Sequence, residues 1–147
     1  MSAVRPASAA AVSRALKAAG MTKGERHPSH MVRGWANYTA GFVTEQGMKT
    51  GRRKVTDGRY RDGSQRYTWV SDNTPTGYVI VEWQAGDHAN RNGTREEAAA
   101  RSAREMARAA EILTGKGYRV ETSVRQNQIG ETVLSVWREG PDGQVVR

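Results

Sequence analysis

The chain has 147 residues and contains no cysteine, only one phenylalanine and only four prolines. Without cysteine, a disulfide framework, a thiolate metal site and a cysteine nucleophile are all excluded. No apolar run approaches the roughly 18 residues that a membrane-spanning helix needs, and the N-terminal segment lacks the continuous apolar stretch of a signal peptide. We therefore expect a soluble, cytoplasmic protein that does not act at a membrane.

The mean hydropathy of −0.74 is low, and 37% of the residues are hydrophobic. A chain of this length forms one domain that can bury a hydrophobic core without the support of disulfide bonds or metal ions. We expect residues 1–147 to form a single domain with a thin or alanine-rich core. Residues 1–7 and 140–147 are expected to be flexible tails.

Two segments have the pattern of amphipathic helices. The first runs from about Ala9 to Ala19, with Ser8 as a plausible N-cap. The second runs from about Arg95 to Thr114, where Thr94 and Glu97 form a capping-box pattern. Apolar residues at spacings of four and three predict the buried face of this second helix. They are Ala99, Ala103, Met106, Ala110 and Leu113.

Elsewhere the apolar residues alternate with a period of two, which predicts strands. The expected strands are Gly34–Thr44, a strand around Arg53–Tyr60, Gln65–Ser71, Tyr78–Gln84, Tyr118–Arg125 and Glu131–Arg138. Either Asp57-Gly58 or Asp62-Gly63 supplies the turn in the basic region, and the pattern does not decide between them. Residues 23–30 (KGERHPSH) read as a loop because Gly24 and Pro28 interrupt them.

This order of elements is α-β-β-β-β-α-β-β, without the βαβ alternation of a parallel sheet. It predicts an α+β fold, mainly an antiparallel sheet of about five or six strands with both helices packed on one face. The other face would be partly solvated, and the basic region could line it.

Motifs for catalysis are missing from the sequence. There is no GxSxG elbow, no Walker A loop and no GxGxxG. The pair Glu96-Glu97 is typical of the first turn of a helix, where carboxylates complement the helix dipole. The histidines His27, His30 and His88 lack the spacing and carboxylate partners of a metal site. We expect no enzyme activity, no metal and no cofactor.

Positive charge is concentrated in two parts of a chain whose net charge is +8. Residues 1–33 carry six basic side chains against Glu25, and Lys49–Arg66 carry seven against Asp57 and Asp62. A local positive field attracts a polyanion, and arginine suits phosphates and guanine edges. Excess arginine over lysine is also typical of a GC-rich genome, which favours a bacterial or phage source.

The basic segment Lys49–Arg66 is the best candidate for a nucleic-acid site, because cations and aromatic rings are interleaved there. Tyr67 and Trp69 follow it, and their alternation leaves open whether they belong to the core or to a stacking surface. The expected contact residues are Arg52, Arg53, Lys54, Arg59, Tyr60, Arg61 and Arg66. The N-terminal basic residues would extend this surface if the first helix packs beside the hairpin; they are Arg5, Arg14, Lys17, Lys23, Arg26 and Arg33.

The sequence therefore favours a non-enzymatic accessory protein that binds nucleic acid, with DNA and RNA left open. The alternative is a non-enzymatic interaction or assembly protein of a phage or mobile element. Its anchors would be a strand edge and exposed Trp35, Trp83 or Trp137, because Trp and Arg are enriched at interface hot spots. A homodimer is possible in either case.

Overall fold

A computed structural model describes residues 3–28, 36–87 and 92–147 of the chain. His30, Arg33, Gly34, Trp35 and His88 lie outside these ranges, so the start of the first expected strand is not among the described residues. The described elements are α1 (Ala9–Ala18), β1 (Glu25–Pro28), β2 (Ala36–Thr39), β3 (Gly41–Arg59), β4 (Gln65–Gln84), α2 (Arg95–Gly115), β5 (Arg119–Val124) and β6 (Thr132–Trp137).

The expected fold class is confirmed: the protein is α+β, with two helices and two antiparallel sheets in the expected order of elements. Strands β3, β4, β6 and β5 form a four-stranded sheet in that spatial order. Strands β1 and β2 form a separate two-stranded sheet. We call the four-stranded sheet and the two helices the body of the protein. Strands β3 and β4 form part of this sheet and also extend beyond it.

The segment expected as a loop around Pro28 instead contains strand β1, which pairs with β2. One cause is a long-range contact that local sequence does not reveal. The side-chain Nε2 of Gln84 donates to the carbonyl oxygens of Glu25 and Thr39, at 2.9 and 2.8 Å. This single amide thereby links the small sheet to the end of β4.

Both helices begin at the expected caps. Ser8 Oγ accepts from the backbone N–H of Ala11 at 3.2 Å, and Thr94 Oγ1 accepts from that of Glu97 at 3.1 Å. Each contact satisfies one backbone donor that a first helical turn leaves free. The two helices pack on the sheet around one buried core, whose larger side chains are Val12, Leu16, Phe42, Val79, Val81, Met106, Leu113, Leu134 and Val136.

The buried face of α2 includes the expected Met106 and Leu113, but two of its other positions are displaced by one residue from the expected ones. Ser102, Met106, Ala109 and Leu113 are buried, whereas Ala103 is exposed. Ser102 faces inward because its Oγ donates to the carbonyl oxygen of Thr132 at 3.2 Å and accepts from the N–H of Thr132 at 2.9 Å. A buried hydroxyl group that both donates and accepts a hydrogen bond is compatible with the core.

Strands β3 and β4 have 19 and 20 residues and pair along nearly their whole length. The expected strands Gln65–Ser71 and Tyr78–Gln84 form the single strand β4. The expected strand Gly34–Thr44 is divided: residues 36–39 form β2, and residues 41–44 continue into β3 with most of the expected strand Arg53–Tyr60. Only Val79–Glu82 of β4 also pairs with β6. We call the two-stranded part beyond, residues 48–75, the arm. Among the described residues, none of the core positions lies in the arm.

The chain ends are in contact with the body. Ala7 is buried, and Val146 donates its N–H to the carbonyl oxygen of Arg138 at 2.8 Å. Gly77, in the irregular part of β4 at the root of the arm, has φ +82° and lies directly beneath the carbonyl of Val146. The C-terminal residues therefore cover the root of the arm.

Candidate nucleic-acid interface

The arm is a two-stranded ribbon that carries the whole basic segment away from the core. Each strand rises about 3.3 Å per residue, so the eleven or so steps from Met48 to Arg59 span about 35–40 Å. The arm contains seven basic and three acidic residues, a net charge of +4. The expectation that the basic segment lines the open face of the body sheet is therefore not met.

Strand register divides the side chains of the arm between two faces. Lys54 pairs with Trp69 and Thr56 pairs with Tyr67, so these residues share one face. Arg52, two residues from Lys54, lies on the same face because strand side chains alternate. We call Arg52, Lys54, Tyr67 and Trp69 the aromatic face of the arm.

On the aromatic face each ring has a cation over it. The guanidinium carbon of Arg52 lies 5.3 Å from the ring centroid of Trp69, and Lys54 Nζ lies 4.4 Å from that of Tyr67. Both contacts are diagonal across the ribbon, a distance that long side chains can reach. At an exposed site each contributes about 0.5–1 kcal/mol. The contacts therefore order the rings without burying them.

Both rings remain accessible to a ligand. Tyr67 is 50% exposed and Trp69 is 59% exposed. The possibility that they belong to the core is thus excluded, and they were missing from the expected contact residues. Their signal was present in the sequence, since both rings recur at a spacing of two directly beside the basic segment.

The opposite face of the arm carries Lys49, Arg53 and Arg66, but it also carries acidic groups. Asp72 pairs with Gly51 on this face. Arg66 lies 3.6 Å from the carboxylate of Asp57 and donates its Nε–H to the Asp57 carbonyl at 2.7 Å. Both aspartates of the paired strands thus lie away from the aromatic face, which carries cations only.

A short turn closes the tip of the arm, and Asp62-Gly63 supplies it. The carboxylate of Asp62 accepts from the backbone N–H and the hydroxyl of Ser64, and these hydrogen bonds lower the pKa of Asp62. Gly63 has φ +86°, which glycine adopts without strain. Asp57-Gly58, the other expected turn, instead occupies a bulge in β3 with Gly58 at φ +79°.

The seven expected contact residues therefore fall into three groups. Arg52 and Lys54 lie on the aromatic face, whereas Arg53 and Arg66 lie on the opposite face. The others are at the tip: Arg59, Tyr60 and Arg61. Arg59 Nη1 donates to the carbonyl of Gly63 at 2.9 Å, and the ring of Tyr60 is 57% exposed.

The N-terminal basic residues are distributed along the body. Helix α1 begins at the root of the arm, because Gln46 Oε1 accepts from the N–H of Ala9 at 3.1 Å. Arg5 and Arg14 are close to that end of the body and line one groove. Lys23 is at the other end, where it forms a bridge to Phe42. Within the described part of the chain, which leaves out Arg33, the N-terminal basic residues thus form no single continuous patch with the arm.

The tryptophans named as protein anchors are placed differently from the expectation. Trp83 is half-buried against the core, and its indole Nε1 has no hydrogen-bond partner among the described atoms. Trp137 is half-buried and packs against Tyr78 in a tilted arrangement, with 5.4 Å between ring centroids and 54° between ring planes. Trp35 lies outside the described residues. Of the three described tryptophans, Trp69 is the well-exposed one.

The described residues contain no group of three or more His, Asp or Glu side chains positioned to hold a metal ion. His30, His88 and the side chain of His27 are not among them. Neither described helix combines the length and the apolar character needed to cross a membrane. No protein-family model, curated protein or solved structure matches this chain.

Proposed function

We propose that this protein is a non-enzymatic nucleic-acid-binding accessory protein that acts in the cytoplasm of a bacterium or in phage biology. The observation that supports this function is the aromatic face, where two exposed rings and two cations lie together, while the acidic groups of the paired strands lie on the opposite face. Cations neutralise phosphates, and exposed rings stack on bases. The arm contributes nothing to the core, so its length and composition are explained by contact with a partner.

The shape of the arm also suits a nucleic acid. A two-stranded ribbon fits the major groove of B-DNA, which is about 12 Å wide. On a single strand, bases would stack on Tyr67 and Trp69 instead. Both modes use the same face, so a comparison of double-stranded and single-stranded probes of DNA and RNA decides which one operates.

The test is a binding titration of labelled DNA and RNA at two salt concentrations, with two matched double variants. Arg52→Ala/Lys54→Ala removes two charges from the aromatic face. Lys49→Ala/Arg53→Ala removes two charges from the opposite face of the same strand. We expect the first variant to weaken binding about tenfold or more and the second to have a clearly smaller effect. Wild-type binding should fall steeply as salt rises, because phosphate contacts release counterions.

Two results would contradict the proposal. One is the absence of binding by wild-type protein to any probe at low salt. The other is an equal loss from both double variants, which would indicate a general effect of net charge.

The alternative function, a protein-interaction or assembly role, is favoured by one separate observation. No described strand pairs with the outer edge of either arm strand over residues 48–75. Unpaired edges accept a further strand from a partner or from a second copy of the chain. Such an interface would persist at high salt, whereas nucleic-acid binding would not.

A further inference from the structure

A second basic site is formed at the root of the arm by residues that are far apart in the sequence. A groove of about 530 Å³ is lined there by Arg5, Arg14, Arg138 and Tyr118. No acidic residue contributes to its lining. We call it the arginine groove.

One arginine of the groove, Arg138, is held in place by the fold. The guanidinium carbon of Arg138 lies 4.1 Å from the ring centroid of the buried Tyr118, which orients the guanidinium. Glu139, the next residue, is held by Arg119 at 3.2 Å. No ion pair neutralises Arg5, Arg14 or Arg138 among the described residues.

The first turn of α1 forms one wall, since Ser8 and Ala11 also line the groove. A helix N-terminus adds positive potential to a site that three guanidinium groups already define. Guanidinium groups bind phosphate through paired N–H donors. The chemistry of the groove is therefore that of a phosphate site.

Two contacts locate the groove next to the arm. Ala9 at the start of α1 is hydrogen-bonded to Gln46, which lies just before the arm in β3. Arg138 is hydrogen-bonded to Val146, which covers Gly77 in β4. Along β3, Arg52 is six residues beyond Gln46, a distance of about 20 Å, and the β3–β4 register is irregular between Gln46 and Met48.

We propose that the arginine groove binds a phosphate group of the same nucleic acid whose more distant segment contacts the aromatic face. This inference rests on the proposed function, and it adds a second contact point at the root of the arm. A separation of about 20 Å corresponds to about six base pairs of B-DNA at 3.4 Å each. A long duplex reaches both sites, whereas a short one reaches only one.

The test compares Arg5→Ala/Arg14→Ala with the control Arg101→Ala/Arg104→Ala, which removes two exposed charges from α2. Each is titrated with a duplex of about 20 base pairs and with a hairpin whose stem has about three, half of the separation between the sites. For the groove variant we expect about tenfold weaker binding of the long duplex, with a salt slope smaller by about two. Its binding of the short hairpin should change little, and the control should change little on both probes.

The inference is overturned if the groove variant binds the long duplex like the control while Arg52→Ala/Lys54→Ala still weakens it; the proposed function then stands alone. If wild-type protein binds no nucleic acid, the proposed function fails. In that case a titration with inorganic pyrophosphate, followed by NMR at the Arg138 Nε–H, tests the groove directly. A saturable shift that Arg5→Ala/Arg14→Ala abolishes supports a site for free phosphate compounds, and no shift overturns it.

Discussion

Arg52 and Arg53 are neighbours in the sequence and lie on opposite faces of the arm. Arg52 is over the ring of Trp69, whereas Arg53 is opposite Val70 on the face that also carries Asp72. Equal charges at adjacent positions therefore have different surroundings. The value of each arginine for binding depends on strand register more than on the local density of positive charge.

We expect Trp69→Ala to weaken nucleic-acid binding by about 1–3 kcal/mol, the usual contribution of one stacked base. Because the ring is 59% exposed, the global unfolding midpoint should stay nearly unchanged. Fluorescence anisotropy with a labelled oligonucleotide measures the first effect and urea denaturation the second. Trp137→Phe is the control, since that ring packs against Tyr78 in the body. Unchanged affinity in Trp69→Ala would show that the ring is not a stacking surface.

The elements with strong local signals were predictable from sequence. Both helices begin at the expected caps, Ser8 and Thr94, because a side-chain oxygen and a free backbone donor lie within one turn of each other. The exposed alanine Ala103 and the buried Ser102 were not predictable. Their placement depends on Thr132, which is 30 residues away from Ser102 in the sequence.

The continuity of the arm was not predictable either. Residues 72–77 (DNTPTG), which separate the expected strands Gln65–Ser71 and Tyr78–Gln84, have the composition of a turn. In the structure Pro75 pairs with Met48 in a ribbon whose outer edge is free, where proline is tolerated. This register, and the bulges that interrupt it, determine which basic residues share a face of the arm. The candidate site was therefore only partly predictable from the sequence.

The turn at the tip should respond to pH through Asp62. Hydrogen bonds from the hydroxyl and the N–H of Ser64 lower the pKa of Asp62 below its ordinary value of 3.8. Since the charged form is favoured in the folded turn, the stabilisation is complete above pH 3.8 and is lost as the pH falls through the lowered pKa. An NMR titration of the Asp62 carboxyl group measures it. Ser64→Ala should raise this pKa and Ser71→Ala should not; equal titrations would contradict the assignment.

Glycine is required for different reasons at the root and at the tip of the arm. Gly77 has φ +82°, and a Cβ there would overlap the carbonyl oxygen of Val146. Gly63 has φ +86°, and a Cβ there would have no neighbouring atom within 4 Å. We expect Gly77→Ala to lower the free energy of global unfolding by more than the about 1–2 kcal/mol of backbone strain alone. Gly63→Ala should mainly speed amide exchange at the tip, and the opposite ranking in urea denaturation would argue against this packing.

The hydroxyl of Ser102 links α2 to β6 through two buried hydrogen bonds to the backbone of Thr132. Ser102→Ala should destabilise the protein by about 1–3 kcal/mol, because it leaves a buried N–H and a buried carbonyl without this partner. Ser123→Ala is the control, since its hydroxyl makes one 3.5 Å contact to Val133 from an exposed position. Urea denaturation monitored by circular dichroism gives both values. If the two variants lost the same stability, the Ser102 bridge would have no special role in holding α2 on the sheet.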